Sequence, residues 1–300
     1  MSSAAAVGRV RHLLGRPKVG HAGTLDPLAT GMLPLCVGEA TKLVSYLMQG
    51  RKGYEFCISL GSRTSTGDNE GEVVATAPVP ALDMDRVISA LRSFEGAGTQ
   101  IPPMYSALKH EGQRLYKLAR EGQVIERKSR PIVIDALQLR ELGASHLRLH
   151  VLCSKGTYVR VLAEDIASAL GTVGHCSSLR RSYVEPFAES DMIKINELED
   201  RIARGEDPGL LAPDAALGHL PAALLAAEAA RRIMQGQPIA CPADLTSNCD
   251  PSLERVVRLY GADGGFIGLG SGPDAGGRLR PLRLIASAAG DPKGSFISRT

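Results

Sequence analysis

One short stretch holds residue types that could do chemistry together. Residues 19–34 read Val-Gly-His-Ala-Gly-Thr-Leu-Asp-Pro-Leu-Ala-Thr-Gly-Met-Leu-Pro. Asp26 stands among Leu25, Leu28, Met32 and Leu33. It precedes Pro27, whose ring pushes the aspartate backbone out of the α region and holds it extended. Gly20, Gly23 and Gly31 permit turns and close approach of a ligand. A carboxylate fixed in an apolar loop can act as a nucleophile or a general base. Asp-Pro in a glycine-rich loop is also ordinary turn chemistry, so the dipeptide alone leaves both readings open. A phosphate cradle does not fit, because neither G-x-x-x-x-G-K-[ST] nor G-x-G-x-x-G after a strand occurs.

Other candidate chemistry is sparse. His146 and His150 lie four apart in a strand-like stretch with no third ligand near in sequence, which reads as an exposed strand face rather than a metal site. The six cysteines, Cys36, Cys57, Cys153, Cys176, Cys241 and Cys249, form no C-x-x-C pair. Nothing at the N-terminus reads as a secretory signal, so reduced thiols in a cytoplasmic protein are expected. No run of about 18 apolar residues is present, which excludes a helical membrane span. Net charge is +3, and aromatics make up 4% of the 300 residues with no Trp. Mild basicity does not by itself mark a nucleic-acid partner, so local clustering has to carry that argument. Between Leu108 and Arg130 it does cluster: Lys109, Arg114, Lys117, Arg120, Arg127, Lys128 and Arg130 stand against Glu111, Glu121 and Glu126, with Tyr105 and Tyr116 interleaved. A solvated helix laced by Glu–Arg pairs would look the same on charge alone.

The elements that must position these residues follow from periodicity. Val7–Leu14 has helical spacing and stops at Gly15 and Pro17. Glu39–Met48 reads as an amphipathic helix, Tyr54–Leu60 as a strand, Glu72–Ala75 as another and Asp83–Phe94 as a helix with an acidic first turn. Pro131–Glu141 and His146–Cys153 read as paired strands, Tyr158–Leu170 as a helix closed by Gly171, and Leu179–Tyr183 and Met192–Ile195 as short strands. That mixture predicts an α+β sheet domain. Residues 203–222 are rich in Gly, Pro and Ala and mark a boundary. Beyond them, an Ala-rich helix over Ala222–Met234 and short strands at Val256–Leu259 and Phe266–Leu269 suggest a small β-barrel or sandwich.

The run Gly20–Pro34 closely resembles the signature loop of bacterial TruB-type tRNA pseudouridine synthases, with mild variation at Ala22 and Thr24. Further blocks follow in the order of that family. They are Lys52-Gly53-Tyr54-Glu55-Phe56, then Leu60-Gly61 with Thr64, Thr66, Asp68 and Gly71. Next come Gln100-Ile101-Pro102-Pro103-Met104-Tyr105-Ser106-Ala107-Leu108-Lys109, Cys153-Ser154-Lys155-Gly156-Thr157-Tyr158-Val159-Arg160, and Leu179-Arg180-Arg181. The resemblance is strong over residues 3–200. It is weaker in the tail, where Gly236, Phe266-Ile267-Gly268 and Leu279-Arg280-Pro281 are similar to a small PUA-type RNA-binding domain.

The resemblance implies a pseudouridine-synthase catalytic domain over residues 1–215, with an RNA-binding insertion at about 98–130, and a PUA-like unit over 222–290. It implies isomerisation of the uridine at position 55 in the tRNA T-loop, with no cofactor and no metal. Asp26 would be the central carboxylate, as nucleophile or as base, and Arg160 its ion-pair partner. Tyr54 would stack on the base and help move the C5 proton. Tyr158 and Leu179 would line the pocket, and His21 would touch the loop the base has left. Ser106 and Lys109 would contact RNA. The partner is the tRNA T-arm, with no protein partner and monomeric action expected. A buried T-loop base has to be flipped out to be reached, which accounts for an RNA-gripping insertion. A non-catalytic RNA-binding or RNA-folding protein of the same fold is the alternative, and a retained Asp26, Tyr54 and Arg160 set argues against it. The insertion argues against a guide-RNA-dependent synthase. A glycosidase would need two acids flanking the bond, and no second acid presents itself in sequence. Family members begin with a strand and a Lys-Pro turn ahead of the segment matching Ser2-Ser3. Its loss would expose a sheet edge, so an upstream start is expected.

Overall fold

The computed structural model describes residues 1–242, 255–285 and 296–299. The chain opens with α1 (Ser3–Leu13), capped by the Ser2 hydroxyl, then β1 (Val19–His21), β2 (Thr30–Gly31) and β3 (Leu35–Val37). The single helix expected over Glu39–Met48 is instead a 3₁₀ segment, Gly38–Leu43, followed by the short α2 (Val44–Leu47). Next come β4 (Lys52–Leu60), the hairpin of β5 (Ser62–Thr64) and β6 (Val73–Thr76), and α3 (Met84–Arg92), which Asp83 caps by accepting from the Arg86 N–H. Then follow β7 (Gly96–Gln100), β8 (Lys109–His110), β9 (Gln113–Arg114), α4 (Leu115–Arg120), β10 (Arg130–Leu142), β11 (His146–Cys153), α5 (Val159–Ala169) and β12 (Gly174–Val184).

Six strands form the principal sheet in the order β2-β12-β4-β11-β10-β7, antiparallel except for the β2–β12 pair. Period-two alternation sets its faces. In β4, Phe56, Ile58 and Leu60 are buried while Glu55 is exposed; in β11, Leu147, Leu149, Val151 and Cys153 are buried while Arg148 is exposed. Against this face lies α5, whose Val159, Leu162, Ala163, Ile166 and Ala167 make an apolar stripe at helical spacing. The helix sits close because Gly174 of β12 carries no side chain: a Cβ there would lie 2.7 Å from that of Ala167.

A second sheet, in the order β1-β3-β19-β13, joins β1 and β3 to β13 (Met192–Ile193) and to the C-terminal β19 (Phe296–Arg299). In it β3 has neighbours on both sides, β1 and β19. The strand expected over Met192–Ile195 is only two residues long. Ile195 instead begins α6 (Ile195–Ala203), where Ile195 and Leu198 are buried one helical turn apart. In the C-terminal part, the expected Ala-rich helix divides into β14 (Ala222–Leu224) and α7 (Ala227–Met234). Parallel pairing of β14 with β16 (Val256–Tyr260) overrides the helix preference of alanine. With β15 (Ile239–Ala240), β17 (Phe266–Ser271) and β18 (Arg278–Leu284), these strands make a five-stranded sheet ordered β14-β16-β17-β18-β15. Cys249 and residues 286–290, the end of the expected PUA-like unit, lie outside the described residues; Cys36, Cys57, Cys153 and Cys176 are free thiols.

The two parts share a core. Leu269 and Ile285 from the C-terminal sheet pack with Met32, Cys36, Leu43, Leu47 and Phe187 of the N-terminal part. The loop that carries Asp26 is therefore backed by apolar side chains from both.

Two substitutions test this packing. Leu149→Ala, at a position with no exposure, is expected to cost about 2–5 kcal/mol in urea unfolding. Gly31 has φ +93°, and a Cβ there would lie 2.2 Å from the Arg181 carbonyl oxygen. Gly31→Ala is expected to lower stability by at least about 1–3 kcal/mol, the cost of the backbone conformation alone.

Candidate active site

Asp26 lies on the loop between β1 and β2, and several contacts fix that loop. The Ser3 hydroxyl at the start of α1 accepts from the Leu25 N–H at 2.9 Å and donates to the Leu25 carbonyl at 3.3 Å. The Ala22 N–H donates to the Pro34 carbonyl, and the Ala29 N–H to the carbonyl of Asp26 itself. Arg160 sits in the first turn of α5 and is 4% exposed. Its Nε donates to Asp26 Oδ2 at 2.8 Å and its Nη2 to Asp26 Oδ1 at 3.2 Å, a two-toothed pairing of planar groups. Nη1 donates to the Thr66 carbonyl at 2.6 Å and Nη2 also to the Tyr105 carbonyl at 2.8 Å. Burial alone would lower the guanidinium's pKa. The adjacent Asp26 and Asp68 carboxylates more than offset this and leave it raised, so Arg160 stays charged. The Asp26 side chain remains 32% exposed: it is paired on one side and reachable on the other.

A second acid, Asp68, lies beside the pair. Asp68 is 3% exposed, and its Oδ2 lies 3.5 Å from Arg160 Nε. It accepts from the Thr66 hydroxyl and from the Glu70 N–H, so its turn is built around it. Both carboxylates thus face one guanidinium, an arrangement for fixing that cation rather than for flanking a scissile bond.

Of the other expected residues, Tyr54 and Tyr158 lie near enough to Asp26 to feel its charge, and Ser106 lies beside Tyr158, while Leu179 sits in the sheet core and His21 near Arg181 and Arg114. Leu179 is 6% exposed and pairs across the sheet with Phe56; Tyr54 packs against the same core on β4. Burial raises the pKa of Tyr54, opposed by Arg181, and burial likewise raises that of Tyr158. Both feel the Asp26 charge, which adds to these shifts, so both phenols are protonated at neutral pH. Ser106 is buried beside Tyr158, close enough for its hydroxyl to bear on the phenol, yet its Oγ makes no hydrogen bond of good geometry. Burial, then Arg181 and Arg114, lower the pKa of His21, whose Nδ1 is buried without a partner. Lys109 stands apart, exposed on β8.

The stretch 101–129 leaves the sheet edge where Gln100 of β7 pairs with Arg130 of β10. Its base is closed by Arg127 Nη1, which donates to the Pro102 carbonyl at 3.0 Å. Buried Leu115 and Leu118 of α4 hold it together, and the guanidinium groups of Arg114 and Arg120 lie 6.0 and 5.7 Å from the Tyr116 ring centre. Through Tyr105, Ser106 and Arg114 this basic segment reaches the site itself.

Sequence reading gave no role to three groups. Asp68 and Arg181 lay inside recognised blocks but look like a turn acid and a surface-strand cation. Gln100 opens a block and turns inward: its Oε1 accepts from the Tyr158 N–H at 2.9 Å and its Nε2 donates to the Tyr158 carbonyl at 3.3 Å. Polarity alone could not find them, since all three are buried and burial is a property of the fold.

Comparison with known proteins places the chain in a family. Residues 11–159 match the TruB family pseudouridylate synthase N-terminal domain, residues 160–230 the tRNA pseudouridylate synthase B C-terminal domain, and residues 221–285 the C-terminal domain of pseudouridine synthase II TruB. The chain is 46% identical over 293 residues to the tRNA pseudouridine synthase B of Nitrosococcus oceani, covering 97% of this chain and 92% of the relative. It is 44% identical to that of Aromatoleum aromaticum, covering 96% and 90%. Among solved structures, a Cbf5-Nop10-Gar1 complex matches with a TM-score of 0.70 at 23% identity, over 91% of this chain and 75% of the other. An H/ACA RNP bound to a substrate RNA containing 2′-deoxyuridine matches with 0.72 at 19%, over 96% and 83%. These two carry the fold: a mixed α+β pseudouridine-synthase sheet with a C-terminal β domain. The chain belongs to the TruB family of pseudouridylate synthases.

Proposed function

We propose that the protein isomerises uridine to pseudouridine in tRNA, at position 55 of the T-loop. The observation that carries this is the Asp26–Arg160 pair: a carboxylate held by two hydrogen bonds to a buried guanidinium and still reachable from outside. A protein that only bound RNA would gain nothing from presenting a carboxylate to a polyanion. The isomerisation breaks C1′–N1, turns the base and forms C1′–C5; C5 loses a proton and N1 gains one. It needs no electron acceptor and no outside group, so side chains can serve it.

In this reading Asp26 is the catalytic carboxylate, fixed by Arg160 and available as nucleophile or base. Tyr54 stacks on the flipped base, a contact worth roughly 1–3 kcal/mol. Tyr158 and Leu179 bound the pocket, and the unpartnered Nδ1 of His21 and the Oγ of Ser106 offer hydrogen bonds to the displaced nucleotide. Lys109 and the basic residues of 101–129 hold phosphates, giving affinity that falls with salt. Residues 1–215 act as the catalytic unit, and the unit over 222–290 as a PUA-like RNA-binding domain. The substrate is the T-arm of free tRNA, without guide RNA or protein partner, and the chain works as a monomer in the cytoplasm. Among the described residues no helix is long and apolar enough to cross a membrane. The 44–46% identity to enzymes named tRNA pseudouridine synthase B favours the tRNA substrate.

The test is tritium release from tRNA transcript labelled at uridine C5, with the product mapped. The wild-type chain is expected to release tritium from the T-loop. Asp26→Asn is expected to lose at least roughly 10²–10⁴-fold in rate while binding tRNA normally. Tight binding with no release by the wild type would overturn the proposal. Asp68→Asn is expected to slow release by about tenfold or more at unchanged tRNA affinity and to lower stability by up to about 3 kcal/mol, because Arg160 loses its buried backing. Release at the wild-type rate would show that Asp68 does not position Arg160.

A further inference from the structure

Arg181 of β12 is the largest fully buried side chain among the described residues, at 2% exposure. Its guanidinium forms no ion pair with any described carboxylate, unlike Arg160. Burying a cation without a counter-charge is costly, so its placement calls for a reason.

Its contacts supply one. The Nε donates to the Met32 carbonyl at 2.7 Å and Nη2 to the Gly23 carbonyl at 3.0 Å. Gly23 and Met32 bracket the loop that carries Asp26. The Arg181 carbonyl also accepts from the Met32 N–H at 2.7 Å, and its backbone pairs with Gly31. One residue therefore fixes both ends of the catalytic loop. Across the sheet its partner is Tyr54, so the two side chains share a face at the spacing of a direct cross-strand pair. The guanidinium also interacts with the Tyr54 phenol, opposing the effect of burial on that group. Two neutral donors could satisfy two carbonyl groups at lower cost. A cation adds a positive field beneath the pocket, where negative charge develops on the base as C1′–N1 breaks, and a fixed field there needs no reorganisation during reaction.

We propose that Arg181 is a positioning residue of the isomerisation: its unneutralised guanidinium clamps both ends of the Asp26 loop and orients the Tyr54 hydroxyl toward the flipped base. This rests on the uridine-isomerase reading. With the guanidinium's residue directly across the sheet from Tyr54, its positive charge favours a phenol whose oxygen faces it and whose O–H points away into the pocket. Arg181 acts through Asp26 and Tyr54 and does not itself touch the substrate.

The experiment compares Arg181→Lys and Arg181→Gln with the wild-type chain in single-turnover tritium release, tRNA filter binding and thermal unfolding. Arg181→Gln is expected to lose about 100-fold in rate and Arg181→Lys about tenfold, the retained charge giving partial rescue, with tRNA affinity within about threefold of wild type in both. Wild-type rates in both variants, a loss explained by weaker tRNA binding alone, or a lysine variant no better than the glutamine one would each overturn the proposal. If neither variant folds, nitrogen-15 NMR of the wild-type chain takes their place. A slowly exchanging Arg181 Nε–H signal that shifts when unlabelled tRNA binds supports the coupling, and one that does not respond overturns it. A wild-type chain that releases no tritium removes the isomerase reading itself, a failure distinct from any of these.

Discussion

Arg160 holds four groups from three separate stretches of chain: the Asp26 carboxylate, the Asp68 carboxylate and Thr66 carbonyl of one turn, and the Tyr105 carbonyl. A guanidinium has five N–H donors in a rigid fork, and lysine could not reproduce that geometry. Because the group is almost fully buried, its charge has to be compensated, and the two carboxylates do this. The rest of the site follows from that requirement. The β1–β2 loop brings Asp26, the β5–β6 turn brings Asp68 and Thr66, the basic excursion brings Tyr105, and α5 brings the arginine at its first turn.

The fold places those three stretches within one arginine's reach by close packing. Gly174 lets α5 approach the sheet, and Gly31 lets β2 run against the Arg181 backbone. Apolar residues of the C-terminal sheet brace the underside of the Asp26 loop. The basic excursion over 101–129 is bonded to Arg160 through Tyr105, so a shift of that segment acts directly on the group that holds Asp26. The basic segment and the Asp26–Arg160 pair are thereby mechanically joined, which suits an enzyme whose target base must leave its stack before reaction.

Much of this was legible in the sequence, unevenly. Period-two runs gave β4, β10 and β11, and the 3.6-residue stripe gave α5 with Gly171 past its end, because those elements bury one face only. Ala222–Met234 misled, since tertiary pairing to β16 outweighs alanine's helix preference. Ile193 and Ile195 look alike as residues and differ only in what packs on them. In the site, Asp26, Tyr54 and Arg160 stood out through a long contiguous resemblance. Asp68, Gln100 and Arg181 did not, because a buried polar residue has the same letter as an exposed one. Their importance lies in partners more than 50 positions away, a distance at which local pattern carries no signal.

The account turns on Arg160, so its most direct test is Arg160→Lys in single-turnover tritium release, with tRNA binding measured in parallel. Charge is kept and the fork is lost. The account predicts a fall of at least about 10²-fold in release, as expected when one side of a buried hydrogen-bonded pair is disrupted, with tRNA affinity within a few fold of wild type. Release at the wild-type rate would contradict it, and would mean that Asp26 does not depend on the geometry Arg160 provides.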